Sequence, residues 1–449
     1  MKAQAPYLTI LLLCGACFAQ QILPSAPKAA SLQVVTDIPF SRSTSKNNAV
    51  VPQTFNPDLN RQQQQDQAIR NEVERDLALQ EKTMRDVKAD IDEMNEEAKY
   101  HLPSFGGLSG TKFYRDAFNK LAALDPENYS IKDVNFTVEN AFFDNKQDSA
   151  EFQSVIRQTG DFLRAKMKEL KYDENNNLAK NYVLFQFFSE TMKLKATGQQ
   201  HFPFKYDFND YMGQNDWSKM FVSKLIQTGS GQCHSLPMLY LILAEEIGAE
   251  AYLALSPNHS YIKFPDENKK WYNLELTNGM ATTNTFILNS GFIKAEAIQS
   301  KIYMQNLTKK QLLSQFYTDL ASGYQHKFGY DNFVEQTAKK ALELYPENVS
   351  AHLLLANFER YRFEYVAKQF GVNPFQKEEL QKLRRNFRAV AMLNETNAQY
   401  KKLDDLGFEP MPSEEYEKWL ASLKNAKNKQ DNDTFNKQFK GVLKQNAKN

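Results

Sequence analysis

Three residues of this chain have the types and the order of a thiol catalytic set: Cys233, His259 and Glu275. Cys233 lies in the string Gly229-Ser230-Gly231-Gln232-Cys233-His234-Ser235-Leu236-Pro237. Thr228 to Gly231 read as a turn, and Leu236, Leu239, Tyr240, Leu243 and Ile247 then recur at helical spacing up to Gly248, a good residue to end on. Pro237 is compatible with that helix because it falls in the first turn. The sulfur is therefore expected at a helix N-terminus, where unpaired N–H groups and the dipole favour thiolate over thiol. The small residues ahead of it leave room for a substrate carbonyl to reach the backbone N–H groups of an oxyanion hole.

The other two residues fall on predicted strands. Residues 251–255 read as a buried strand, 256–258 as a turn, 259–264 as a second strand, 265–269 as a polar loop and 270–276 as the returning strand. Pairing Phe264 with Lys270 sets His259 directly opposite Glu275, about 5 Å apart. A carboxylate there would hold the imidazole in one tautomer and stabilise its cation while it takes the thiol proton. Asn273 shares that face and is the second candidate orienter.

This arrangement resembles the transglutaminase-like branch of the papain-like cysteine enzymes. The resemblance rests on Gly231-Gln232-Cys233-His234, on His259, and on Trp271-Tyr272-Asn273-Leu274-Glu275-Leu276-Thr277. It is strong over about 209–279, and the strings Cys233 to Tyr240 and Asn273 to Gly279 look most like the bacterial SirB-related subgroup. It implies an α+β fold with a papain-like core and antiparallel strands. The implied activity is acyl transfer from peptide or protein amides through a thioester, hydrolytic more often than cross-linking. Glu275 stands where that family has Asp, which makes the triad a looser match than the Cys233–His259 dyad. Gln227, six residues before Cys233, has the offset of the papain oxyanion glutamine.

The surrounding elements must hold those residues in place. Residues 1–19 have a Lys2 n-region, an apolar run from Tyr7 to Leu13 and small residues before Gln20, the pattern of a signal peptide. A lipoprotein signal acylated at Cys17 is the alternative, with Cys14 where Leu is usual. Removal of the signal leaves Cys233 as the lone cysteine, an expensive residue to keep in an exported protein unless its thiol is used. Export implies a periplasmic or secreted location. Residues 20–60 read as a flexible leader, and 61–100 as a long amphipathic helix through Ile69, Val73, Leu77, Met84, Val87, Ile91 and Met94. That stripe suits packing on the next domain or a dimerising coiled coil interrupted at Gln80.

The predicted catalytic domain covers 111–303, with helices first and strands later. Residues 310–425 read as helices of tetratricopeptide type, because Ala341 and Pro346 resemble the end of one repeat and Leu355-Ala356 the start of the next. Residues 426–449 form a basic tail. With 55 basic against 54 acidic residues, no broad attraction to nucleic acid is expected, and no other segment is apolar enough to be transmembrane. No metal or cofactor is expected: His234 beside Cys233 lacks further spaced ligands, and no phosphate-binding glycine loop occurs. The competing reading is a non-catalytic envelope scaffold whose repeat-like helices bind a protein partner.

Overall fold

The computed structural model describes residues 57–289 and 291–425, so the expected signal peptide, nearly all of the expected leader and the expected basic tail lie outside it. Helix α1 (Pro57–Ala98) is a unit by itself, begins four residues before the expected start, and carries its apolar residues exposed. The second unit starts at Tyr100.

That unit opens with four helices, and side-chain caps set the starts of the last three. α2 (Thr111–Ala122) is followed by α3 (Ile131–Phe142), which Ser130 caps by accepting from Asp133 N. Asp148 caps α4 (Ser149–Leu170) and Asn176 caps α5 (Asn177–Ser189) in the same way. After α5 the chain turns into β1 (Met192–Lys193), antiparallel to β2 (Gln200–His201). β3 (Lys205–Tyr206) pairs in parallel with β4 (Ser230–Gly231), bringing Tyr206 opposite Gly231 just ahead of the thiol.

Between these strands lies α6 (Val222–Thr228), whose first N–H groups end on a buried carboxylate. Glu139 of α3 accepts from Val222 N at 2.6 Å, from Ser223 N at 2.9 Å and from Asn135 Nδ2 at 2.8 Å. A charged side chain is rarely so buried unless it is paired, and a helix N-terminus is an anion site that suffices here.

The apolar helix α7 (Ser235–Ile247) packs against α4 and α5 and against a four-stranded antiparallel sheet ordered β5 (Tyr252–Ser256), β6 (His259–Pro265), β7 (Trp271–Glu275), β8 (Met280–Thr282). The register differs from the expected one by two residues. Phe264 faces Tyr272 and Ile262 faces Leu274, where Phe264 had been matched with Lys270. The polar loop keeps its length and moves one residue along the chain, where Asp266 accepts from Asn268 N and Lys270 N and caps the turn. An even slip keeps every side chain on its face of the sheet, so His259 and Glu275 remain neighbours, now on a diagonal.

The rest is helical: α8 (Asn284–Leu288), α9 (Ala295–Gln299), α10 (Lys309–Phe328), α11 (Asn332–Leu344), α12 (Val349–Gln369), α13 (Lys377–Leu380), α14 (Phe387–Asp405) and α15 (Ser413–Asn425). Thr308 and Gln311 form a capping box at the start of α10. The chain turns from α11 into α12 at Tyr345 to Asn348, the junction that looked repeat-like. Phe118 meets Tyr317 and Tyr114 meets Tyr324 edge-on, so α2 and α10 share one aromatic core. Helix and small sheets together make an α+β protein, and among the described residues no helix is long and apolar enough to cross a membrane.

Candidate active site

Cys233 stands two residues before α7, in the turn whose Gln232 carbonyl accepts the first helical bond, from Leu236 N at 3.1 Å. The turn is locked on both sides. Gln232 is buried and donates from Nε2 to the Asp210 carbonyl at 2.6 Å, while Ser235 Oγ accepts from Gln232 N at 2.9 Å. A side chain at Gly231 would run into Ser235 Oγ at 2.6 Å and Leu225 Cδ1 at 2.9 Å, so only glycine fits the approach to the nucleophile. Cys233 itself is half-buried, and its N–H belongs to the first turn, where a helix provides no acceptor.

The turn between β5 and β6 brings the imidazole to the sulfur. Asn258 holds the left-handed conformation at φ 55°, which Asn tolerates better than most side chains, and its carbonyl accepts from the Cys233 thiol at 3.8 Å. Ser260 Oγ donates to the Cys233 carbonyl and ties β6 to the nucleophile turn. His259 Nε2 is 2.7 Å from Glu275 Oε2, with both side chains essentially free of solvent. Glu275 Oε1 accepts from Thr277 N at 2.9 Å, so the carboxylate is itself oriented. This leaves His259 Nδ1, buried and with no conventional hydrogen-bond partner, as the nitrogen available to the sulfur.

The electrostatics follow from these contacts. Burial opposes charge on His259, but the Glu275 carboxylate and the sulfur outweigh it and raise its pKa. Burial pushes the Cys233 thiol up, yet His259, the Tyr416 hydroxyl and the His234 charge together bring it below its ordinary value. Both shifts favour a thiolate beside an imidazolium.

On the other side of the sulfur, His234 makes a second histidine–carboxylate pair. Its Nε2 is 3.0 Å from Asp319 Oδ2 of α10, and its Nδ1 is 2.9 Å from the Met220 carbonyl. Both partners only accept, so both ring nitrogens carry protons and His234 is a cation. Its pKa is raised to about 9, the Asp319 carboxylate overcoming the burial that acts against the charge.

Of the sequence-predicted residues, Cys233, His259 and Glu275 come together, and two do not join them. Gln227 is exposed near the end of α6 and lines a surface cleft with Phe142 and Lys224, because α6 ends there and turns its last residues to solvent. Asn273 donates to Asn284 Oδ1 at 2.9 Å and pairs across the sheet with Lys263, so it holds α8 and not the histidine.

Three contacts at the site escaped the sequence reading: Asp319, Tyr416 and Trp419. Tyr416 donates its hydroxyl to Cys233 Sγ at 3.7 Å, and the Trp419 ring stands edge-on to His259 at 4.6 Å. The i, i+3, i+4, i+7 stripe of Tyr416, Trp419, Leu420 and Leu423 marks α15 as amphipathic, but periodicity carries no address for the surface it covers. Compared with family models, with curated proteins and with solved structures, the chain matches none.

Proposed function

We propose that this chain is an exported cysteine enzyme of transglutaminase-like type, built on a papain-like core, which cleaves amide bonds of peptides or proteins through a thioester. Cys233 Sγ attacks the amide carbonyl carbon, and the backbone N–H of the nucleophile turn receives the developing oxyanion. His259 holds the former thiol proton and delivers it to the leaving nitrogen as the C–N bond breaks, leaving a thioester on Cys233. Water then attacks with His259 Nδ1 as base, the carboxylic acid departs and the thiol is restored. An amine in place of water would give transamidation by the same steps. Glu275 keeps Nε2 engaged so that only Nδ1 exchanges protons, and His234 contributes a fixed positive charge beside the thiolate.

One observation carries this reading: the 2.7 Å bond from His259 to Glu275 occupies Nε2, while Nδ1 is buried without a conventional partner at the side of the thiol. The test uses p-nitrophenyl acetate as a small acyl donor. A burst of nitrophenol with an acetyl group on Cys233, found by peptide mass spectrometry and lost in His259→Ala, is the expected result. No acylation of Cys233, or acylation indifferent to His259, would sink the proposal and favour the scaffold.

A further inference from the structure

Two of the residues that touch the sulfur and the imidazole belong to one helix at the far end of the described chain. Tyr416 and Trp419, one helical step apart on α15, cover Cys233 and His259 respectively. Tyr416, Leu420 and Leu423 are buried, so the helix lies in a groove and not on a surface. Its polar anchors come from the two turns that carry the catalytic side chains. Asn258, the residue before His259, donates to the Met411 carbonyl at 3.3 Å, and Asn278, three residues after Glu275, donates to the Leu423 carbonyl at 3.2 Å. Tyr211, from the segment that also supplies Tyr206, donates to Glu417 at 2.8 Å and packs on Tyr416. The entry to this segment is held where Gly407, at φ +81°, sits so close to α9 that a Cβ would lie 2.3 Å from Ala297 N.

Resting on the proposed catalytic reading, we infer that residues 409–425 are an intramolecular cap: they occupy the acyl-substrate groove and keep the thiol latent until they are displaced. A carbonyl carbon must come within about 3–3.5 Å of the sulfur to react. The Tyr416 hydroxyl already stands 3.7 Å from Cys233 Sγ, and the buried Tyr206 borders the sulfur beside it. Cap and substrate therefore exclude one another. A peptide segment presenting an aromatic side chain to the sulfur is the chemistry this groove is shaped to hold. While the cap is in place, the apparent reactivity of the thiol is scaled down by the fraction of molecules in which it is open.

The experiment is alkylation of the full chain by iodoacetamide at pH 7, with the rate at Cys233 read by peptide mapping so that Cys14 and Cys17 do not contribute. Trp419→Ala and Tyr416→Ala are each expected to speed alkylation at least tenfold over wild type. Asn278→Ala, which loosens one anchor and leaves the thiol's own contacts alone, is expected to give an intermediate rise. Far-UV circular dichroism establishes that each variant is folded. Unchanged rates in the folded variants would overturn the cap. A further measurement needs no variant: hydrogen exchange in wild type should find the amides of 413–425 opening faster than those of α7. Exchange of the two helices at equal rates would make α15 ordinary core and end the proposal. Trp419→Ala combined with His259→Ala separates the two ideas. A rise over His259→Ala alone keeps the cap, and no rise ends it; a double variant as fast as Trp419→Ala shows a thiol indifferent to His259 and removes the enzyme.

Discussion

The two flanks of Cys233 each present a histidine paired with a carboxylate, and they are built for different work. On the sheet side, His259 and Glu275 are sealed from solvent, and only one ring nitrogen is committed. On the helix side, His234 and Asp319 keep partial access to solvent, and both ring nitrogens face acceptors. A ring with one nitrogen in reserve can pass a proton; a ring with both engaged can only hold its charge. The number of acceptors around an imidazole thus separates a proton carrier from a fixed cation, although both residues are histidines a short distance from one thiol.

That contrast can be broken from either side. Replacing His259 with Ala should cost the most, on the order of 10³–10⁴-fold in acylation rate, because base and acid are lost together. Glu275→Gln should cost about 10²-fold or more, since an amide can donate to Nε2 and trap the wrong tautomer; the same acylation assay reads it. On the helix side, His234→Gln or Asp319→Asn should slow the reaction by only about tenfold at neutral pH, the effect of roughly one pH unit on the thiol. The signature is the pH profile of iodoacetamide alkylation, whose midpoint should lie below the usual ~8.5 in wild type and move upward in both variants.

The fixed cation also predicts a stability effect. With a folded pKa of about 9 against about 6.5 when unfolded, protonated His234 favours the native state fully below pH ~6.5, and that contribution is lost as pH rises through 9. Urea midpoints should fall over this window in wild type and fall less in Asp319→Asn. The smallest effects are expected from Gln227→Ala and Asn273→Ala, whose side chains point to solvent and to α8; each should change acylation by no more than about twofold.

Much of the sheet side was legible because its signals are local. The helix with its turn of small residues, the strand 259–265, buried at every position but Lys263, and the spacing of His259 and Glu275 all operate within one supersecondary unit. The expected register was wrong by two residues, since the turn at Asp266 depends on a side-chain cap that alternation does not report. The even shift left the chemistry intact. The helix side was not legible: Asp319 and Tyr416 reach the site from 86 and 183 residues away along the chain, distances over which periodicity says nothing. The contacts between α2 and α10 were illegible for a related reason: the two helical stretches look independent in sequence, yet their aromatic rings pack together.

Glu139 gives the turn that carries Cys233 its footing. Its carboxylate is housed in the apolar interior only because Val222 N, Ser223 N and Asn135 Nδ2 surround it. Any slide of α6 away from α3 would leave a buried carboxyl group without its hydrogen-bond partners in a medium that cannot solvate it. The floor beneath Cys233 therefore works as an anvil, anchored to the amino-terminal helices, and whatever opens and shuts around the sulfur has to be the other jaw.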